Sequence, residues 1–377
     1  MDFSFSEEQR AFGESAQALF ADYCGDEQLR EHDASGRPFM QALWEQCLAA
    51  GLHGVLVPEA DGGLGLGLTE LMCVLEQQGR ALALVPLWEQ QLAAATLARF
   101  GDAALRDRVL RPVMEGGQLL TLSLSGLAAP RGAGLRLQRS ERGWTAEGTV
   151  HALPLGGQAR WALLAADDGQ GPRLLLAELD RVRRVEGTSQ HHLGVADLHF
   201  DALPVDEAAV LPPEAAGWIE PRALACLAAL QLGVTAQQLA RTVDYLKERK
   251  QFDRPIGSFQ LVAGQMADGY IALEALRSSL WQLVYRLDAG LGGVPHAHAT
   301  RVLACELGHR AGHMAQHVHG GMGVDVSFHI HRFLYWSRAL AVALGGSEHH
   351  LARLGDWLAD NDNLGWKYDL AEDHPTL

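Results

Sequence analysis

The chain has 377 residues, 48% hydrophobic and 20% charged, with 46 acidic against 31 basic side chains and a net charge of −15. This is the composition of a soluble globular protein too long for one core, so two or three domains are expected. No basic domain offsets the acidity, which excludes a general nucleic-acid binder and leaves room only for a local arginine pocket suited to a small phosphate-bearing molecule.

Cys24, Cys47, Cys73, Cys226 and Cys305 are dispersed with no Cys-x-x-Cys pair. They signal neither a disulfide framework nor a zinc site, and buried free thiols in a reducing cytosol are the simplest account. The start, Met1-Asp-Phe-Ser-Phe-Ser-Glu-Glu-Gln-Arg10, lacks the basic and apolar regions of a signal peptide. No uninterrupted apolar run approaches the ~20 residues of a membrane span. A cytoplasmic chain with no membrane span is therefore expected.

Ser6 followed by Glu7, Glu8 and Gln9 is a helix start, and Phe12, Ala16, Leu19, Phe20 and Tyr23 continue it at helical spacing. More helix is predicted around 39–50. The glycine-rich run from Gly51 to Glu70 reads as a compact loop; it lacks the Gly-Lys-Ser/Thr ending of a phosphate loop. Thr69 opens another helix to about Leu82, and 86–117 is helical again. Near Gly117 the pattern changes to short apolar or alternating runs, at 119–125, 135–139, 144–150, 160–166, 173–178 and 195–200. Gly, Asp and Pro separate them, which is the signature of a small antiparallel β domain. From Trp218 the helical period returns. Long helices are predicted at 223–249, 261–289, 297–317 and 327–358, enough for an antiparallel four-helix bundle. Residues 361–377 are polar and read as loose or packed on a neighbour.

The segment 247–260, Lys-Glu-Arg-Lys-Gln-Phe-Asp-Arg-Pro-Ile-Gly-Ser-Phe-Gln, joins two of these helices. Its Arg249 and Arg254 suit bidentate phosphate binding and Phe252 can stack on a base, but the segment alone reads more readily as a solvated helix-loop-helix turn, the ordinary case for a charged turn. Gly320-Gly-Met-Gly323 lies between helices and either permits close backbone approach or is a plain turn. His309, His313 and His317 have i, i+4, i+8 spacing, but no Glu completes a His-Glu-x-x-His pattern, so no metal is assigned. No Gly-x-Ser-x-Gly elbow is present.

Four stretches in this order resemble the acyl-CoA dehydrogenases: Phe5–Arg10, Val57–Gly67, Glu248–Gln260 and His317–Gly323. The resemblance spans nearly the whole chain. It implies a mainly α fold with a middle β domain: an N-terminal helical domain (1–117), a small antiparallel β-barrel domain (118–216), a C-terminal four-helix bundle (217–360) and a tail (361–377). It also implies FAD and the removal of two hydrogens across the α–β bond of an acyl-CoA. A glutamate takes the α-proton, flavin N5 takes the β-hydride, and an electron-transfer flavoprotein is the expected acceptor. In such tetramers the ADP end of FAD reaches a neighbouring subunit. Carried over by motif, that neighbour's contribution is Arg249, Phe252, Gln260, His317, Gly320 and Gly321, with His317 standing where the family usually has glutamine.

The departures from the family pattern matter as much. The slot of the catalytic glutamate before the last helix falls in Ala343-Leu-Gly-Gly-Ser347, on Leu344 or Gly345. The alternative slot on the first bundle helix falls near Ala223. None of these can abstract a proton; Glu220 and Glu348 are the nearest carboxylates. The loop over flavin and substrate is reduced to Ser125–Gly134, and the strand that meets the flavin ring is replaced by His151-Ala-Leu-Pro-Leu155. The chain thus resembles the non-catalytic subunit of α2β2 acyl-CoA dehydrogenases, such as those handling steroid side-chain CoA esters. It would complete the ADP site of a homologous catalytic partner. Two alternatives are a self-sufficient enzyme with Glu348 or Glu220 as a displaced base, and a flavin-free acyl-CoA-binding scaffold.

Overall fold

The computed structural model describes residues 5–129, 134–141 and 143–361. The tail expectation therefore lies, from residue 362 on, outside the described residues. The first helices are α1 (Glu7–Tyr23), α2 (Asp26–Ser35), α3 (Gln41–Ala49), α4 (Leu68–Ala81), α5 (Leu87–Phe100), α6 (Ala103–Leu105) and α7 (Arg111–Met114). Strand β1 (Leu120–Ser123) and helix α8 (Ser125–Ala128) follow. Then come β2 (Arg136–Ser140), β3 (Gly143–Pro154), β4 (Trp161–Asp167), β5 (Pro172–Glu178), β6 (Arg183–Thr188) and β7 (Gly194–Val205). The last third holds α9 (Glu214–Glu248), β8 (Lys250–Gln251), β9 (Arg254–Pro255), α10 (Gln260–Asp288), α11 (Val294–His319), α12 (Gly321–Val324), α13 (His331–Val342) and α14 (Ser347–Asp360).

Two compact units result. One comprises residues 1–29, 68–83 and 224–377, the other 30–67 and 84–223.

In the helical unit, α1 begins with the capping box expected from sequence. Ser6 Oγ accepts from Gln9 N at 3.1 Å, and Gln9 Oε1 accepts from Ser6 N at 3.0 Å. The start of α4 is capped by a distant residue: Asp288, at the end of α10, accepts from Leu68 N, Thr69 N and Thr69 Oγ1 at 2.8–3.1 Å. Helix α9 has an 18-residue window of mean hydropathy 1.4, long and apolar enough to cross a membrane, yet 89% of that window is buried inside the protein. A glycine on each of the two helices lets it pack closely on α4. A Cβ on Gly233 of α9 would lie 2.0 Å from Glu76 O, and one on Gly79 of α4 would lie 2.2 Å from Leu230 O. The two helices therefore cross backbone to backbone, which only glycine allows.

The fourth bundle helix, expected unbroken over 327–358, is two helices. Gly345-Gly346 interrupts it, with Leu344 at φ 57° and Gly345 at φ 86°.

In the other unit a seven-stranded sheet runs β1-β4-β2-β3-β7-β6, with β5 on β4. The antiparallel expectation needs correction at two pairs. β1 and β4 are parallel (Leu120↔Trp161 through Ser123↔Leu164), as are β2 and β4 at Arg136↔Asp167. The reason is in the burial: β1 is buried throughout and β4 in all but its last residue, the continuous apolar type that parallel strands favour. β6 was not expected at all. It is an exposed edge strand, Arg-Arg-Val-Glu-Gly-Thr, with no buried face to impose alternation, and its charges protect the edge.

Candidate functional site

The segment singled out from sequence folds as a tight hairpin at the end of α9. Arg249 N donates to Tyr245 O at 2.9 Å, prolonging the helix, and Ile256 N donates back to Arg249 O at 2.8 Å. β8 and β9 pair through Lys250↔Pro255 and Gln251↔Arg254. The two loop residues, Phe252 and Asp253, both have positive φ (54° and 63°), as a type I′ turn demands. This geometry throws the Phe252 ring outward, where it is 86% exposed. Phe259 meets it edge-on, with ring centroids 6.2 Å apart, and Arg254 lies 4.0 Å over Phe259. The Arg249 side chain is exposed and makes no ion pair or hydrogen bond with another described residue. Gln260 is exposed at the first position of α10.

Tyr245 joins this hairpin to the second predicted segment. Its ring stacks on His319 with centroids 4.2 Å apart, and its hydroxyl donates to Met322 Sδ at 3.9 Å. His319 Nδ1 donates to Ala315 O at 2.8 Å, and burial lowers its pKa, so the stacked imidazole is neutral. Gly320 follows directly at φ 59°, and neither it nor Gly321 would bring a Cβ within 4 Å of another atom. Arg249, one turn beyond Tyr245, and the Gly320-Gly321 backbone are thus brought to the same corner. His317, two residues before His319, is exposed. Sequence reasoning missed Tyr245, although its position one helical turn before Arg249 was a usable signal. His309 and His313 meet edge to face at 4.6 Å, and among the described residues no three metal-ligating side chains gather.

The turn between α13 and α14 is where the resemblance puts a catalytic glutamate. Ala343, Leu344, Gly345 and Gly346 contribute no carboxylate. The fully buried Arg301 of α11 clamps the turn instead: its Nη2 donates to Leu340 O and, at 2.7 Å, to Ala343 O. A guanidinium at these C-terminal carbonyls also meets the negative end of the α13 dipole. Beside it lie two buried histidines, His298 and His350, with their Nδ1 atoms 3.0 Å apart. One must donate and the other accept. Burial pushes His298 down to about 4, and burial with Arg301 nearby pushes His350 down to about 3.

Glu348 is exposed in the first turn of α14. Ala223 is fully buried in α9, and Glu220, three residues earlier, is half-buried.

The stretch His151–Leu155 runs through the end of β3 at an irregularity. The β3–β7 register shifts between Val150 and Leu153, and Ala152 takes φ 49°. Asp197 Oδ1 accepts from Ala152 N at 2.8 Å, and its Oδ2 lies 3.0 Å from His151 Nδ1. The backbone N–H first, then His151, holds the Asp197 carboxyl below its ordinary range. Of the loop 125–134, residues 130–133 lie outside the described residues.

Comparison with known proteins bears on the family of the chain. The family model for the acyl-CoA dehydrogenase N-terminal domain matches residues 6–117, and that for the C-terminal domain matches 223–359. The chain is 34% identical over 373 residues to acyl-CoA dehydrogenase FadE27 of Mycobacterium tuberculosis, covering 96% of this chain and 99% of the relative. It is 33% identical over 321 residues to FadE28 of the same organism, covering 83% and 91%. Among solved structures, the ChsE4-ChsE5 complex from Mycobacterium tuberculosis superposes with a TM-score of 0.89 at 32% identity, over 96% of this chain and 100% of that one. A Tcur3481-Tcur3483 steroid ACAD variant gives 0.87 at 37%, over 94% and 98%.

Proposed function

Since the chain belongs to the acyl-CoA dehydrogenase family, we propose that it is the subunit of a heteromeric, FAD-dependent acyl-CoA dehydrogenase that completes the ADP site of a homologous catalytic partner and supplies no base. The observation that carries this reading is the contrast between two regions. The hairpin corner is intact, while the α13–α14 turn holds Leu344 and Gly345 under an arginine clamp. Similarity to chains of two-component complexes supports it.

The corner's residues fit an ADP group. Arg249 offers unpaired donors to a pyrophosphate, Phe252 an exposed face to adenine, and Gly320 and Gly321 open space beside their backbone. Gln260 and His317 add polar donors at the rim. Bound FAD supplies the hydride acceptor for α,β-dehydrogenation. This chain's residues anchor the phosphates and stack the base; they neither take the α-proton nor position the substrate α-carbon. Glu348, exposed at its helix start, has the setting of a dipole-compensating residue.

The test is to purify the chain alone and with a homologous partner that has a glutamate in the α13–α14 turn, and to measure bound flavin and acyl-CoA oxidation. The expected result is little flavin and no turnover alone, and one FAD per pair of chains with turnover in the complex. A chain that alone retains stoichiometric FAD and oxidises acyl-CoA overturns the reading. In that case Glu348→Gln and Glu220→Gln identify the displaced base.

A further inference from the structure

A second polar site lies within the helical unit, on the walls of a cavity of about 350 Å³ between α1, the start of α2, the end of α4, α9 and α13. Arg80, Arg241 and Arg332 line it, together with the amides of Gln77 and Gln237. Asp26 is the only carboxylate among its described lining residues. In a chain of net charge −15 this local excess of guanidinium is notable.

The neutralisation of Arg80 and Arg241 is incomplete in its geometry. Arg241 reaches both oxygens of Asp26 through a single nitrogen, Nη1, at 2.8 and 2.9 Å. Nε and Nη2 of Arg241 have no hydrogen-bond acceptor among the described residues. Asp26 also receives His329 Nδ1 at 3.1 Å, so its charge is shared. Burial first, then Arg241, lowers the His329 pKa to about 4, so it donates to Asp26 as a neutral imidazole. Arg80 gives only Nη2, to Glu76 at 3.1 Å, and Glu76 must also accept both Arg277 bonds at 3.0 and 3.1 Å. Two guanidinium forks therefore bring unused N–H groups to one cavity that also carries amide donors. Ala21 and Gln17, exposed on α1, leave it open to solvent.

We propose that this cavity is an anion site, distinct from the hairpin corner, that takes a small phosphate dianion, either inorganic phosphate or a compact phosphate monoester. Forked guanidinium donors match the several oxygens of a phosphate better than the two of a carboxylate. The volume admits a phosphate with a small organic group and not a dinucleotide. An anion held there ties α1 and α4 to α9 and α13, the helices whose ends carry the hairpin corner and the clamped turn.

Calorimetric titration of the purified full chain with inorganic phosphate, glycerol 3-phosphate and succinate, each against chloride at matched ionic strength, tests this. Saturable one-to-one binding of inorganic phosphate or glycerol 3-phosphate is expected, and the stronger of the two identifies the source. Arg80→Gln and Gln77→Glu should each weaken binding at least about tenfold, as expected for a lost or opposed charge-assisted bond. Gln77→Glu adds an acid facing existing arginines, so it keeps the test decisive if Arg80→Gln folds poorly. Arg249→Ala locates the site. If it abolishes phosphate binding, the anion sits in the hairpin corner and the proposal fails. Binding no tighter than chloride, tighter binding of succinate, or full affinity in both cavity variants also overturns it.

Discussion

Replacing Gly233 by alanine tests the backbone crossing on which the helical unit depends. The added Cβ would sit 2.0 Å from Glu76 O and 2.9 Å from Arg80 N, where ordinary contact begins at 3.4 Å. Neither contact is with a side chain that can rotate away, so α4 must retreat by more than 1 Å at the crossing. That retreat loosens Leu71, Met72 and Leu75, all fully buried. Overpacking of this kind costs about 3 kcal/mol or somewhat more, against about 1 kcal/mol gained by placing alanine in a helix interior. A net loss of about 2–3 kcal/mol is expected. Gly355 of α14 is the control, because it is exposed and a Cβ there meets nothing within 4 Å. Gly355→Ala should gain about 0.8 kcal/mol from propensity alone. Urea unfolding of the two variants, followed by circular dichroism and tryptophan fluorescence, should move in opposite directions from wild type. A Gly233→Ala protein as stable as wild type, or a Gly355→Ala protein that loses as much, refutes the reasoning. Gln77 and Arg80 lie on α4 beside this crossing, so Gly233→Ala should also weaken phosphate binding.

Acid should destabilise the helical unit through His298 and His350. Their folded-state pKa values lie below the ordinary one, so the unfolded chain binds more protons from about pH 6.5 down to about 4 for His298 and about 3 for His350. Stability is fully present above that window and falls with pH by up to about 1.4 kcal/mol per pH unit for each histidine, and His298→Asn/His350→Asn should flatten the slope in urea midpoints. Asp288→Ala removes the three-bond cap of α4 and should cost about 1–2 kcal/mol in the same assay, with Asp288→Asn recovering part of it. Arg249→Ala in the assembled complex should weaken FAD retention about tenfold, read by flavin fluorescence on dilution, with the unfolding midpoint of the isolated chain unchanged. Glu348→Gln should leave turnover of the complex within about twofold, since an exposed helix-start carboxylate contributes little beyond a weak dipole term.

Residues with a local cause were legible in the sequence. Ser6 and Gln9 announced their capping box, and the periodicity of 261–289 marked α10 to within a residue at each end. The hairpin at 250–255 was placed as a junction, and its arginine and phenylalanine are exposed as that reading required. What was missed depends on partners far away in sequence. β6 has no buried face, so nothing in Arg183–Thr188 alternates. The parallel pairing of β1 and β4 depends on strand order, which alternation does not encode, although the unbroken apolar run 161–166 hinted at it. The break at Gly345-Gly346 carried its own signal, a glycine pair inside a helical pattern, but the apolar residues on both sides masked it. Arg301 was invisible as a site residue because its acceptors lie about forty residues on, beyond any local pattern.

If Phe252 stacks on adenine as proposed, the type I′ turn at the hairpin tip sets folding against use at a single residue. A phenylalanine held at φ 54° pays steric strain of about 1 kcal/mol that asparagine or glycine would not, and with its ring 86% in solvent it recovers almost none of that by burial. In a library of this chain sorted only for heat resistance, position 252 should therefore be among the first to drift, yielding sturdier proteins with a blunted corner. A library sorted on flavin held by the complex should keep the ring and tolerate the strain. Comparing which substitutions survive the two sorts would separate the residues that shape the chain from those that serve its neighbour.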